Sequence, residues 1–130
     1  MTQIIEPKIL IGVCVHDRIT NIERWLGIYR HMIKPCPVKL MVIHNRDTPE
    51  PTPEWARYID DPRLDFFIHR QNGGYDVGTM QDFLKGRLGD PWPEWNTLLW
   101  ATDDTLPMKR ESISILLDTL QQDGVGAAGI

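Results

Sequence analysis

Short apolar runs without polar alternation constrain this sequence more than anything else in it. Lys8 to Val15 is nearly continuous in β-branched and apolar residues, which is how a strand covered on both faces reads; a strand with one wet face would alternate. Val38 to Ile43, Leu64 to His69 and Thr97 to Ala101 read as three further strands. The segments between them carry helical periodicity. Thr20 followed by Glu23 has capping-box spacing, and Ile22, Trp25, Leu26, Tyr29 and Met32 then recur on one helical face until Pro35 ends the run. A short helix is expected from about Thr52, after a Pro-rich loop, with Trp55, Ala56 and Ile59 on its apolar side. Gly73 and Gly74 lead into a helix from Asp76 to about Arg87 with Val77, Met80, Phe83 and Leu84 on one face. Ile113, Leu116, Leu117 and Leu120 mark the last helix, and Gly124 stops it before an apolar tail, Val125 to Ile130, that reads as a fifth strand.

Strands alternating with helices of this length imply βαβ units with right-handed crossovers, hence an open, mainly parallel α/β sheet covered on both faces, Rossmann-like in plan. At 130 residues the chain is expected to be a single domain. Its two cysteines, one inside an apolar run and one between prolines, fit reduced thiols and point to a cytoplasmic location. The longest apolar stretch, Ile9 to Val15, falls far short of the roughly 20 residues a membrane span requires. A net charge of −4 with mixed signs gives no basic stripe for tracking phosphates, so nucleic acid is not an expected partner.

In sheets of this kind ligands bind beyond the carboxyl ends of the strands. Those ends are rich in polar groups here: His16-Asp17-Arg18 after the first strand, His44-Asn45-Arg46-Asp47 after the second, His69-Arg70-Gln71-Asn72 after the third and Thr102-Asp103-Asp104-Thr105 after the fourth. Asp103 and Asp104 leave a buried strand directly, and hard carboxylate oxygens there suit Mg²⁺ or Mn²⁺ bridging a diphosphate. The alternative role for such an aspartate is capping the helix that follows.

The run LLWATDDT, Leu98 to Thr105, followed by a helix and then Val125 to Gly129, resembles the segment of family 2 glycosyltransferases in which an apolar strand ends in Asp-x-Asp or Asn-x-Asp-Thr. Asn72-Gly73-Gly74-Tyr75 with Gly78 is similar to that family's Asn-x-Gly-aromatic signature, and Cys14 to Arg18 is similar to its Pro-Thr-Tyr-Asn-Arg strand ending. The resemblance implies a GT-A-type fold with strand order 3-2-1-4 plus a fifth strand, binding a UDP-, GDP- or dTDP-linked sugar with Mn²⁺ or Mg²⁺ and transferring the sugar to an acceptor. It places the metal on Asp104 with Asp103 assisting. His16, Asp17, Arg18, His44, Asn45, Arg70, Asn72, Gly74 and Asp103 then surround the nucleotide. Thr102, Cys14 and Val15 depart from the family pattern, as do His44 and Asn45, which stand where the family usually has an aspartate for uracil. The resemblance also implies that residues 1–130 form the nucleotide-sugar-binding domain alone, without the acceptor-binding half that carries the base in inverting members.

Two other readings compete. A binding module without turnover, or half of an assembly, keeps the same contacts. A metal-dependent hydrolase would use His16, His44 and His69 with Asp103 or Asp104 on Zn²⁺ or Fe²⁺, although no close-spaced histidine pair is present. A dinucleotide site is disfavoured and a P-loop excluded because Gly-x-Gly-x-x-Gly is missing after the first strand and the only glycine there, Gly12, lies inside the strand. Of the five tryptophans, Trp25, Trp55 and Trp100 sit on apolar faces and read as core, while Trp92 and Trp95 in a Pro-rich loop stay open between core and sugar contact. An uncovered final strand favours a homodimer through Gly124 to Ile130 or the Trp92–Trp95 region.

Overall fold

The computed structural model describes residues 6–71, 76–105 and 110–122. Their order is β1 (Ile9–Val15), α1 (Ile19–His31), β2 (Val38–Asn45), α2 (Pro53–Ala56), β3 (Phe66–Arg70), α3 (Asp76–Leu84), β4 (Thr97–Thr102) and α4 (Ser112–Leu120). The strands form one open, all-parallel α/β sheet in the order β3-β2-β1-β4. Residues 125–130, where a fifth strand and a dimer contact are expected, lie outside the described residues.

All seven residues of β1 are buried, as the unbroken apolar run requires of a strand with neighbours on both sides and helices above and below. Its odd-numbered residues Ile9, Ile11, Val13 and Val15 join Leu40 and Val42 of β2 in a core with Ile22, Trp25, Leu26 and Tyr29 of α1, Trp55 of α2 and Ile113 and Leu117 of α4. The even-numbered side faces a smaller core built from Leu10, Met41, Ile43, Phe83 of α3 and Trp92. Helices therefore lie on both faces. Trp92 is 6 % exposed and belongs to this core, and Trp95 packs on Phe83 with ring centroids 5.8 Å apart. Their indole N–H groups donate to Glu94 and Asp90 respectively.

Three local expectations need correction. Thr20 does not cap α1: the cap position falls two residues earlier, at Arg18, and carries no side-chain hydrogen bond. Glu23 instead accepts from Tyr58 Oη at 2.6 Å and from Arg63 at 2.8 Å, tying α1 to the β2–β3 connection. A stronger tertiary partner has displaced the local one. Leu84, expected on the apolar face of α3, is 56 % exposed, and the helix stops there because Gly86 and Gly89 take positive φ of 76° and 77°. β3 also starts two residues later than its apolar run, since Asp65 turns its carboxylate onto the Leu40 amide at 2.8 Å.

On the side of the smaller core, Trp100 packs directly over Gly12. A Cβ added there would lie 2.8 Å from two atoms of the Trp100 ring and 3.3 Å from Met41, so the indole of β4 lies across the β1 backbone only because the side chain is absent. Gly12→Ala is expected to lower stability by about 1–3 kcal/mol, the usual effect of overpacking a filled core. Urea unfolding of the two proteins checks this; an unchanged midpoint would mean that Trp100 moves aside freely.

Candidate functional site at the carboxyl edge

Parallel pairing brings the strand ends to a common level. Val15 pairs with His44, His44 with His69, Asn45 with Arg70, and Cys14 with Thr102. One step further, His16 Nδ1 donates to the Asn45 carbonyl at 3.1 Å, so when neutral His16 carries its proton on that nitrogen. The edge thus runs Asp104, His16, Asn45, Arg70 across four strands spaced about 4.8 Å apart.

The chain reverses direction across this edge. β1 leads through α1 to β2 on one side, whereas β3 leads through α3, on the opposite face, to β4 on the other side of β1. The crevice between β1 and β4 is consequently the topological switch point, where strand connections diverge and leave space for a ligand. Residues 16 and 17 follow the strand on one side of it and Thr102 to Thr105 the strand on the other, with the side chains of His16 and Asp17 turned towards the end of β2, onto Asn45 and Arg46.

The acidic turn after β4 is fixed from three directions. The Asp103 amide donates to the Cys14 carbonyl at 3.1 Å, Trp25 Nε1 of α1 donates to the Thr105 carbonyl at 2.9 Å, and the Thr105 amide closes the turn onto Thr102 at 3.1 Å. The two carboxylates then diverge. Asp103 is 8 % exposed, with Asn21 of the first turn of α1 at 3.5 Å, whereas Asp104 is exposed and accepts from the Thr102 hydroxyl. Among the described residues no group of three or more His, Cys, Asp or Glu converges on one point, so these residues form no complete cation cage. A carboxylate that is open to solvent beside a switch point does fit the way Mg²⁺ or Mn²⁺ is commonly held, by one or two carboxylates with phosphate oxygens completing the shell.

Asp17 is exposed and paired with Arg46 at 3.0 Å, and Arg18 is exposed at the start of α1. Arg70 is 8 % exposed, and its guanidinium is committed: it bonds Asp82 at 2.8 Å, Asn45 Oδ1 at 3.1 Å and Thr79 at 3.3 Å. Arg70 and Asn45 thereby join β2 and β3 to α3 in a buried polar cluster. Asn72 and Gly74 lie outside the described residues.

No family model and no curated protein matches this chain.

His44 and His69 come together in a way that sequence spacing does not reveal, because adjacency across parallel strands depends on register. Their Nδ1 atoms are 2.9 Å apart, and His69 Nε2 lies 2.6 Å from the Thr48 carbonyl. A carbonyl only accepts, so His69 carries its proton on Nε2, and its Nδ1 accepts from His44 Nδ1–H. His44 Nε2 is left as a bare lone pair, buried without a hydrogen-bond partner. The ring sits in an aromatic box, with Trp55 at 5.1 Å and Phe67 at 6.2 Å. Three of the four ring nitrogens are spent on each other and on Thr48, the fourth, His44 Nε2, belongs to a fully buried ring, and β3 and β4, which lead to His69 and to Asp103 and Asp104, are the two edges of the sheet.

Burial pushes the His44 pKa down to about 4, with His69 and Arg46 adding repulsion and the His16 main chain opposing the shift. The unfolded chain binds this proton near pH 6.5, so the stabilising contribution is complete above that pH and is lost as the pH falls from 6.5 towards 4. Between pH 7 and pH 5 the wild type is expected to lose up to about 2 kcal/mol more stability than His44→Phe. Urea midpoints at the two pH values measure it; parallel losses in both proteins would remove His44 as the cause.

Proposed function

We propose that this chain binds a nucleoside-diphosphate sugar across the β1–β4 crevice together with Mn²⁺ or Mg²⁺, and that it serves glycosyl transfer. One observation carries the reading: the Thr102–Thr105 turn sets an exposed carboxylate, Asp104, at the switch point of a 3-2-1-4 parallel sheet. Asp104 would hold the cation, shared with the diphosphate, and the cation would neutralise charge on the departing phosphate. Asp103 and Thr102 position that carboxylate from the core side. His16 and Asp17, across the crevice, would meet the base and ribose. Arg70 and Asn45 support the edge through α3, since their polar groups are engaged with each other and with Asp82 and Thr79.

His44 lies beneath this surface at 0 % exposure, and so does not take the place of a carboxylate reading uracil. The reading therefore leaves UDP-, GDP- and dTDP-linked donors on an equal footing. Calorimetric titration of each donor with Mn²⁺ tests it. Saturable heat is expected for at least one donor, dependent on the cation, with affinity about tenfold or more weaker in Asp104→Ala. Absence of heat with all three donors, or equal binding by both proteins, would overturn it.

A further inference from the structure

Thr48, His69 and His44 form a chain of hydrogen bonds leading from the Pro-rich loop into the sheet. The same loop carries α2, a single turn of four residues, too short to persist without tertiary contacts. Its anchor is Trp55, which packs on the His44 ring. Two attachments of the Thr48–Ala56 segment to the sheet edge thus pass through the two histidines, beside the burial of Trp55 in the larger core. Firm ties lie on either side. Arg46 donates its amide to the Arg70 carbonyl at 3.3 Å, and Tyr58 donates to Glu23 at 2.6 Å.

A neutral pair has two ring protons, and both are donated along this chain. A third proton must be taken up at the pair's remaining lone pair, that of His44 Nε2. The groups facing His44 are His16 from the end of β1, Arg46 from the end of β2 and His69 from β3, and none is acidic. Trp55 of α2 and Phe67 of β3 are uncharged. The His16 main chain is the one group that favours the added proton. The charge is therefore far better accommodated by water than by the aromatic box.

We propose that His44 and His69 form a proton-operated latch: uptake of one proton releases the Thr48–Ala56 segment from the carboxyl edge while the sheet stays folded. The latch is independent of what the neighbouring crevice binds. Hydrogen exchange, corrected for intrinsic rates, tests it on the unmodified chain. Closed, the Trp55 and Ala56 amides donate to the Thr52 carbonyl at 2.9 Å. Between pH 7 and pH 5 their opening constant is expected to rise about twentyfold, from the pKa of about 4 in the closed state and 6.5 in the open one. The amides of Val13 and Val42, exposed only when the sheet itself unfolds, should stay far better protected than those of Trp55 and Ala56 at both pH values, and His44→Phe should lose the pH dependence at Trp55 and Ala56.

Unchanged protection at Trp55 and Ala56 between the two pH values, protection there equal to that at Val13 and Val42, or a pH response surviving in His44→Phe would each overturn the proposal. Nitrogen chemical shifts of the imidazoles in the wild type give a check that needs no variant. At pH 7 His44 should be the Nδ1–H tautomer and His69 the Nε2–H tautomer; the reverse assignment would break the chain on which the latch depends.

Discussion

Complete burial of β1 is the condition on which the remaining structure rests. A strand that bonds to neighbours on both sides and is covered on both faces leaves no main-chain group to water, so its partners must be in register along its whole length. Seven consecutive pairings to β2 and six to β4 meet that demand. The common register then carries the polar ends of the strands to one level. Site geometry is in this sense a by-product of satisfying a buried backbone.

Much of this could be read from the residues. The four apolar runs became the four strands, and the periodicity of Ile22, Trp25, Leu26, Tyr29 and Met32 became the buried side of α1, because burial on two faces or on one helical stripe leaves a direct trace in composition. Element ends were less legible. Thr20 and Glu23 have the spacing of a local cap, but a carboxylate accepting from Tyr58 and Arg63 makes stronger bonds than a main-chain amide offers, and the sequence holds no sign of a partner 35 or 40 residues away.

The candidate site divides along the same line. That Asp103 and Asp104 emerge at the carboxyl edge follows from the strand pattern alone. Their unequal fates do not: Asp103 is drawn under the first turn of α1 while Asp104 stays in solvent, a difference made by Asn21, Trp25 and the turn closed on Thr102. Arg70 looked like a ligand contact by position, yet it is bound by Asp82 from a helix turn that only the fold brings near. The histidine pair is the clearest case, since 25 residues separate two rings that share one proton.

The indole of Trp25 has two functions. Its ring fills the larger core, and its N–H holds the Thr105 carbonyl, so the position of the acidic turn depends on the packing of α1 as well as on the loop's own bonds. Rigidity is thereby exported from the hydrophobic interior to an exposed loop through one polar atom. A ring of similar shape without that nitrogen would keep the interior filled and remove one of the turn's three holds, which makes this bond a place where folding and recognition can be varied separately.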